Sequence, residues 1–105
     1  MALKKSDIKP PVLPKETVDV PELGGEVVVR GLLLRDRIAY ALDKTGDMGR
    51  FSRFLAASIY TGDGFPVYTA EEWEEFGSRN LDACLRLFQV ARRLSGMDTE
   101  EAQKN

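Results

Sequence analysis

The segment from Leu81 to Leu94 constrains this chain more than any other. Nine of its fourteen residues are apolar: Leu81, Ala83, Cys84, Leu85, Leu87, Phe88, Val90, Ala91 and Leu94. Asp82, Arg86, Gln89 and Arg93 follow at spacings of four, three and four, so on a helix they fall into one narrow polar stripe. A helix lying on the surface of a core needs an apolar stripe only about 100° wide. This one is apolar over most of its circumference. Either it is the central helix of the domain, or one of its faces serves a partner. Ser78 or Asn80 can cap its start, Gly96 can stop it after Ser95, and Arg92 and Arg93 suit its negative end.

The material available to surround it begins with two β-branched runs. Lys15-Glu16-Thr17-Val18-Asp19-Val20 and Glu26-Val27-Val28-Val29-Arg30 flank Pro21-Glu22-Leu23-Gly24-Gly25, where glycine supplies the positive φ of a turn. The pattern predicts a hairpin. A lone hairpin is marginal in water, so it must pack on something. It serves as a lid on helices, or it offers an edge that pairs with another copy.

Leu32 to Lys44 reads as a helix, with Leu34, Ile38, Ala41 and Leu42 at helical spacing, and Gly46 or Gly49 ends or separates it. Arg50 to Tyr60 reads as a second helix, striped by Phe51, Phe54, Leu55, Ser58 and Ile59. Thr61 to Pro66 is rich in turn residues, and Val67-Tyr68 reads as a strand fragment or extended chain. Thr69-Ala70-Glu71-Glu72 matches a capping box for a short helix that Trp73 and Phe76 tie to the core and Gly77 stops. The fold class is α+β: an N-terminal β-hairpin packed on a bundle of about four helices. Residues 1–14 hold Lys4, Lys5, Lys9, Pro10, Pro11 and Pro14 and read as a flexible arm. Residues 15–97 form the single domain, and 98–105 a polar tail.

Composition narrows the chemistry. The sequence has no histidine and a single cysteine, Cys84, which removes the commonest general base, the commonest metal ligand and any disulfide within the chain. Cys84 sits in the apolar pattern of the last helix and reads as an inert buried thiol. Glu71, Glu72, Glu74 and Glu75 splay around a helix start and do not converge, so they read as matched to the helix dipole. Neither a catalytic residue, a cofactor site nor a metal site is expected. Fifteen basic residues against seventeen acidic ones give no global attraction to nucleic acid or to an anionic membrane. Positions 30–53 carry a local basic surplus through Arg30, Arg35, Arg37, Arg50 and Arg53, a pattern that more often serves protein interfaces. The N-terminus lacks the apolar core of a signal peptide, and no apolar run approaches the ~20 residues of a membrane helix.

Read in order, several pieces resemble the small tail assembly chaperones of long-tailed bacteriophages. They are the opening Ala2-Leu3-Lys4-Lys5-Ser6-Asp7-Ile8, the stretch from Glu16 to Arg30, and Leu32 to Arg37 leading into a helix. The loop Asp63-Gly64-Phe65-Pro66-Val67-Tyr68-Thr69 and the closing helix from Leu85 to Met97 complete the series. The resemblance covers about positions 1–97. It implies a protein that binds the phage tape-measure protein, keeps it soluble and promotes polymerisation of the tail-tube protein around it. It also implies a ring or helical homo-oligomer, working in the host cell cytoplasm and absent from the mature virion. The competing readings are a structural head–tail connector and a small DNA-binding regulatory phage protein.

A protein of this kind works through surface, not through a cleft. The hairpin edge, the arginine-rich middle and one face of the last helix supply the candidate partner and self-association residues: Val27, Val29, Arg30, Arg35, Arg50, Phe51, Leu87, Val90 and Leu94.

Overall fold

The computed structural model describes residues 1–43 and 48–97. Strand β1 (Lys15–Val20) and strand β2 (Gly25–Arg30) form the expected antiparallel hairpin, with Val18 opposite Val27 and Val20 opposite Gly25. Between them Pro21–Leu23 makes one 3-10 turn, which Gly24 ends at φ 96°, in the left-handed region that favours glycine. Directly opposed residues share a face. Val20, Val27 and Val29 are therefore buried together, while Lys15, Thr17 and Asp19 point to solvent.

A third strand, β3 (Ile59–Tyr60), pairs antiparallel with β2, setting Val28 against Tyr60 and Val29 against Ile59. The second helix was expected to run through these two residues; it stops at Ser58 instead. Ser58 Oγ donates to the carbonyl of Phe54 at 2.8 Å, a local bond that competes with continued helix. Ile59 then joins the sheet, and its carbonyl accepts the N–H of Val67 at 3.2 Å. β2 is thus the middle strand, and the free hairpin edge belongs to β1.

Helix α1 (Leu34–Leu42) begins two residues later than expected, because Leu32 is buried outside the helix against the end of the chain's last helix. Helix α2 (Met48–Ser58) includes Gly49 in its first turn, so that glycine does not separate the two helices; Gly46 lies outside the described residues. Helix α3 (Ala70–Gly77) starts with the expected capping box. The Glu72 N–H donates to Thr69 Oγ1 at 3.2 Å, and the Thr69 N–H donates to Glu72 Oε1 at 2.9 Å.

Helix α4 (Leu81–Leu94) ends in a Schellman motif: the Met97 N–H donates to the Arg92 carbonyl at 2.8 Å and the Gly96 N–H to the Arg93 carbonyl at 3.0 Å. Asn80 stands before α4 without capping it through its side chain. Its Nδ2 donates backward to the Phe76 carbonyl at 3.1 Å and closes α3 instead.

Helix α4 touches α2, α3, β1 and β2, which makes it the central helix. Ala83, Cys84, Leu87 and Ala91 are buried along it, packed with Val20, Val29, Phe54, Leu55, Ile59 and Trp73. Its polar stripe lies towards the hairpin: Arg86 pairs with Glu22 at 3.1 Å and Arg93 with Glu16 at 2.8 Å. These pairs are exposed, so each contributes at most about 1 kcal/mol. The arm, 1–14, is exposed throughout, with one 3-10 turn at Lys5–Asp7.

Candidate functional site

The residues expected to form a partner surface divide into three sets. Val27, Val29 and Leu87 are buried in the core of the monomer, so they form no part of its surface. For Val27 and Val29 the reason is the sheet register, which turns both toward α4 and makes β2 a central strand. For Leu87 it is the midpoint position of the central helix. Phe51, Val90 and Leu94 are half-buried and pack against the core; the Phe51 ring lies 4.7 Å from that of Phe88.

The arginines form the third set, and two of them are engaged within the molecule. The Arg30 guanidinium sits 3.7 Å from the ring centre of Tyr60, and that of Arg50 sits 4.1 Å from the ring centre of Tyr40. Arg50 also donates through Nε to the Tyr40 carbonyl at 3.2 Å. Arg35 is exposed on α1. Arg53 pairs with Asp43, so the basic middle of the chain is partly bound up in the fold.

A different surface emerges from α1. No residue of this helix is buried. Tyr40 makes its main attachment, meeting Phe54 edge-on at 4.8 Å between ring centres. Leu34 and Leu42 are 74% and 65% exposed and Ile38 is 48% exposed. At 100° per residue these three and Ala41 fall within one stripe about 100° wide, turned away from Tyr40. Arg35 and Arg37, both exposed, flank the stripe on its two sides. An amphipathic helix whose apolar face points outward is the usual half of a helix-on-helix contact.

The spacing of Leu34, Ile38 and Leu42 was visible in the sequence; its outward direction was not. A further exposed pair, Leu81 and Leu85, sits one turn apart at the start of α4. Beside it, α2, α3 and α4 enclose a cavity of about 300 Å³ lined by Phe51, Trp73, Glu74, Gly77, Leu81 and Cys84.

Among the described residues no three His, Cys, Asp or Glu side chains come together as a metal site. Burial pushes the Cys84 thiol above its ordinary pKa, which works against a nucleophilic role. Among the described residues no helix is long and apolar enough to cross a membrane.

No family model and no curated protein matches this sequence. Among solved structures, the chain is similar to the tail assembly chaperone of bacteriophage HK97. The TM-score is 0.62 at 22% identity, over 85% of this chain and 88% of that one. At that level the likeness is one of fold: this chain has the architecture of a phage tail assembly chaperone.

Proposed function

We propose that this protein is a tail assembly chaperone of a long-tailed bacteriophage. It binds the tape-measure protein in the host cytoplasm, keeps it soluble, promotes tail-tube polymerisation and leaves before the virion is complete. The reading is non-enzymatic and involves neither nucleic acid nor a membrane.

The observation that carries it is the outward apolar face of α1, Leu34, Ile38 and Leu42, presented on the fold of such a chaperone. On this reading the partner is a long helical chain, and keeping it soluble means covering apolar stripes along it. A helix with an unfilled apolar face and arginines on both flanks is complementary to such a stripe where the partner carries acidic residues beside it. Release demands weak, repeated contacts, and a face about two turns long meets that demand better than a deep pocket. Copies that associate with one another place many such faces along one partner.

Co-expression with the neighbouring tape-measure protein tests the proposal. The intact chain should keep the partner soluble and co-purify with it, and Ile38→Glu should abolish both while the variant itself stays folded. A tape-measure protein equally soluble with and without the chain overturns the reading. Retention of the protein in purified particles would favour the head–tail connector instead.

A further inference from the structure

Trp73 is the only tryptophan of the chain, and it lines the cavity of about 300 Å³ enclosed by α2, α3 and α4. It is 1% exposed, and its indole Nε1 is the only buried side-chain nitrogen or oxygen without a hydrogen-bond partner among the described residues. A buried N–H without an acceptor loses its hydration and gains nothing in exchange, so such donors are rare in folded proteins. Here the orphan donor belongs to a residue that borders an open space.

The same cavity has an acceptor in its wall. Glu74 is an exposed residue, yet its carboxylate turns to the buried Ser52, whose Oγ donates to Oε2 at 2.8 Å. That bond ties the carboxylate to α2 beside the cavity. A carboxylate has about four lone-pair sites, so it can accept again. Phe51, Leu81 and Cys84 make the rest of the wall apolar. Gly77 adds bare backbone, where a Cβ would stand 3.2 Å from Cys84 Sγ. Leu81 is 53% exposed, so the cavity reaches the surface beside it.

These features select a ligand chemistry. An ammonium or guanidinium group can meet Glu74 but has no lone pair for the indole N–H. A carboxylate can accept from the indole but has no proton for Glu74 and is repelled by it. A primary amide can do both, but it sets further polar atoms against Phe51, Leu81 and Cys84. A hydroxyl does both with nothing left over, since it carries one donor and two acceptor lone pairs. The walls set the body of the ligand. An apolar cavity of ~150 Å³ is enough to hold benzene, and the rings of Phe51 and Trp73 offer aromatic contacts to a further ring.

We infer that this cavity binds a phenol, an aromatic ring with one hydroxyl, of the size of a tyrosine side chain. The ring enters past Leu81 and lies against Phe51 and Trp73. Its hydroxyl accepts from Trp73 Nε1 and donates to the Glu74 carboxylate. A free small phenol and a tyrosine on a protein partner offer the same chemistry. No residue of α1 lines the cavity, so the site is separate from the outward face of that helix.

Nuclear magnetic resonance of the full chain tests it, because a single tryptophan gives a single indole N–H signal. Titration with p-cresol, the tyrosine side chain itself, should shift that signal to saturation. Toluene, the same ring without the hydroxyl, should bind at least about tenfold more weakly, equivalent to ~1.4 kcal/mol, because it leaves both polar groups unpaired. Glu74→Leu removes the acceptor at an exposed position, and Ser52 keeps the Gly49 carbonyl at 3.2 Å, so the variant should melt like the parent. In it the preference for p-cresol over toluene should vanish, whereas Glu74→Gln, which retains an acceptor, should keep part of it. If Glu74→Leu fails to fold, Glu74→Ala replaces it. A second arm identifies the source of the ring. Saturating p-cresol should displace a co-purified tape-measure protein whose tyrosine fills the cavity, and unchanged co-purification assigns the site to a free phenol. The indole titration needs no partner, so a failure of the chaperone reading leaves it standing. An indole signal that p-cresol does not move overturns the inference. Equal affinity for p-cresol and toluene also overturns it, as does a preference that survives the loss of the Glu74 carboxylate.

Discussion

The backbone N–H of Leu32 donates to Ser95 Oγ at 2.9 Å, joining the exit of the hairpin to the end of α4 across 63 positions of sequence. Both residues are buried. Ser95→Ala would leave that N–H without a partner in the interior, which costs about 1–3 kcal/mol. Urea unfolding should show the loss as a lower midpoint with an unchanged slope. A loss below about 0.5 kcal/mol would mean that water reaches the Leu32 amide.

Gly31 is one residue away and tolerates even less. A Cβ placed on it would stand 2.5 Å from the Leu94 carbonyl oxygen and 3.1 Å from its carbon, both backbone atoms of the central helix. Backbone cannot rotate aside as a side-chain tip can. Gly31→Ala should therefore cost about 1–3 kcal/mol through overpacking, although alanine is usually the safest replacement for glycine. Gly62, where an added Cβ would meet no atom of the surrounding structure within 4 Å, is the control: Gly62→Ala should be close to neutral. Equal melting temperatures for the two variants would refute the close approach.

Trp73 meets both Tyr68 and Phe76 edge-on, at 5.0 and 5.6 Å between ring centres, and is fully buried. Trp73→Ala should cost on the order of 3–5 kcal/mol. Trp73→Phe should cost less than about half of that, because the indole N–H it removes has no hydrogen bond to lose. Thermal unfolding of the two variants decides the matter; comparable losses would show that the N–H carries a bond in solution.

The parts of this fold that were legible beforehand are those set by local chemistry. The hairpin follows from two β-branched runs around a glycine that adopts φ 96°, and α3 follows from Thr69 and Glu72 closing their own capping box. Strand β3 was hidden because Ile59 and Tyr60 continue a helical stripe, and only pairing with β2, some thirty residues earlier, makes them a strand. The outward apolar face of α1 was hidden for a related reason. Spacing shows that Val27, Val29 and Leu87 share a face with other apolar residues, as do Leu34, Ile38 and Leu42. Which face turns inward is decided by tertiary packing, and here the first set fills the core while the second is left outside.

Cys84 offers a chemical check on that core. It is 1% exposed, and burial raises its thiol pKa because the thiolate would lose its hydration. Alkylation needs the thiolate, so at pH 8 the folded chain should react far more slowly than the chain in urea. The linkage has a definite sign. A pKa raised by folding leaves stability intact below the ordinary thiol range and lowers it as pH rises through that range. Cys84→Ala, which cannot ionise, should lack this alkaline component of the stability profile, and identical profiles for the two chains would place the thiol in contact with water.

Two leucines of the same chain provide the sharpest contrast between core and surface. Leu87 is fully buried at the middle of α4, and Leu34 is 74% exposed at the start of α1. Leu87→Ala removes packed methyl groups and leaves a cavity, so it should cost about 2–5 kcal/mol. Leu34→Ala removes groups that already face water, and alanine and leucine are both good helix formers, so stability should stay within about 0.5 kcal/mol. Binding to a helical partner should show the reverse order. A triple change of Leu34, Ile38 and Leu42 to Gln should leave the melting temperature nearly unchanged while co-purification of the tape-measure protein falls at least about tenfold. A triple variant that unfolds would show that α1 already buries this face in the folded monomer. A folded triple variant that still binds the partner at full strength would move the partner surface off α1.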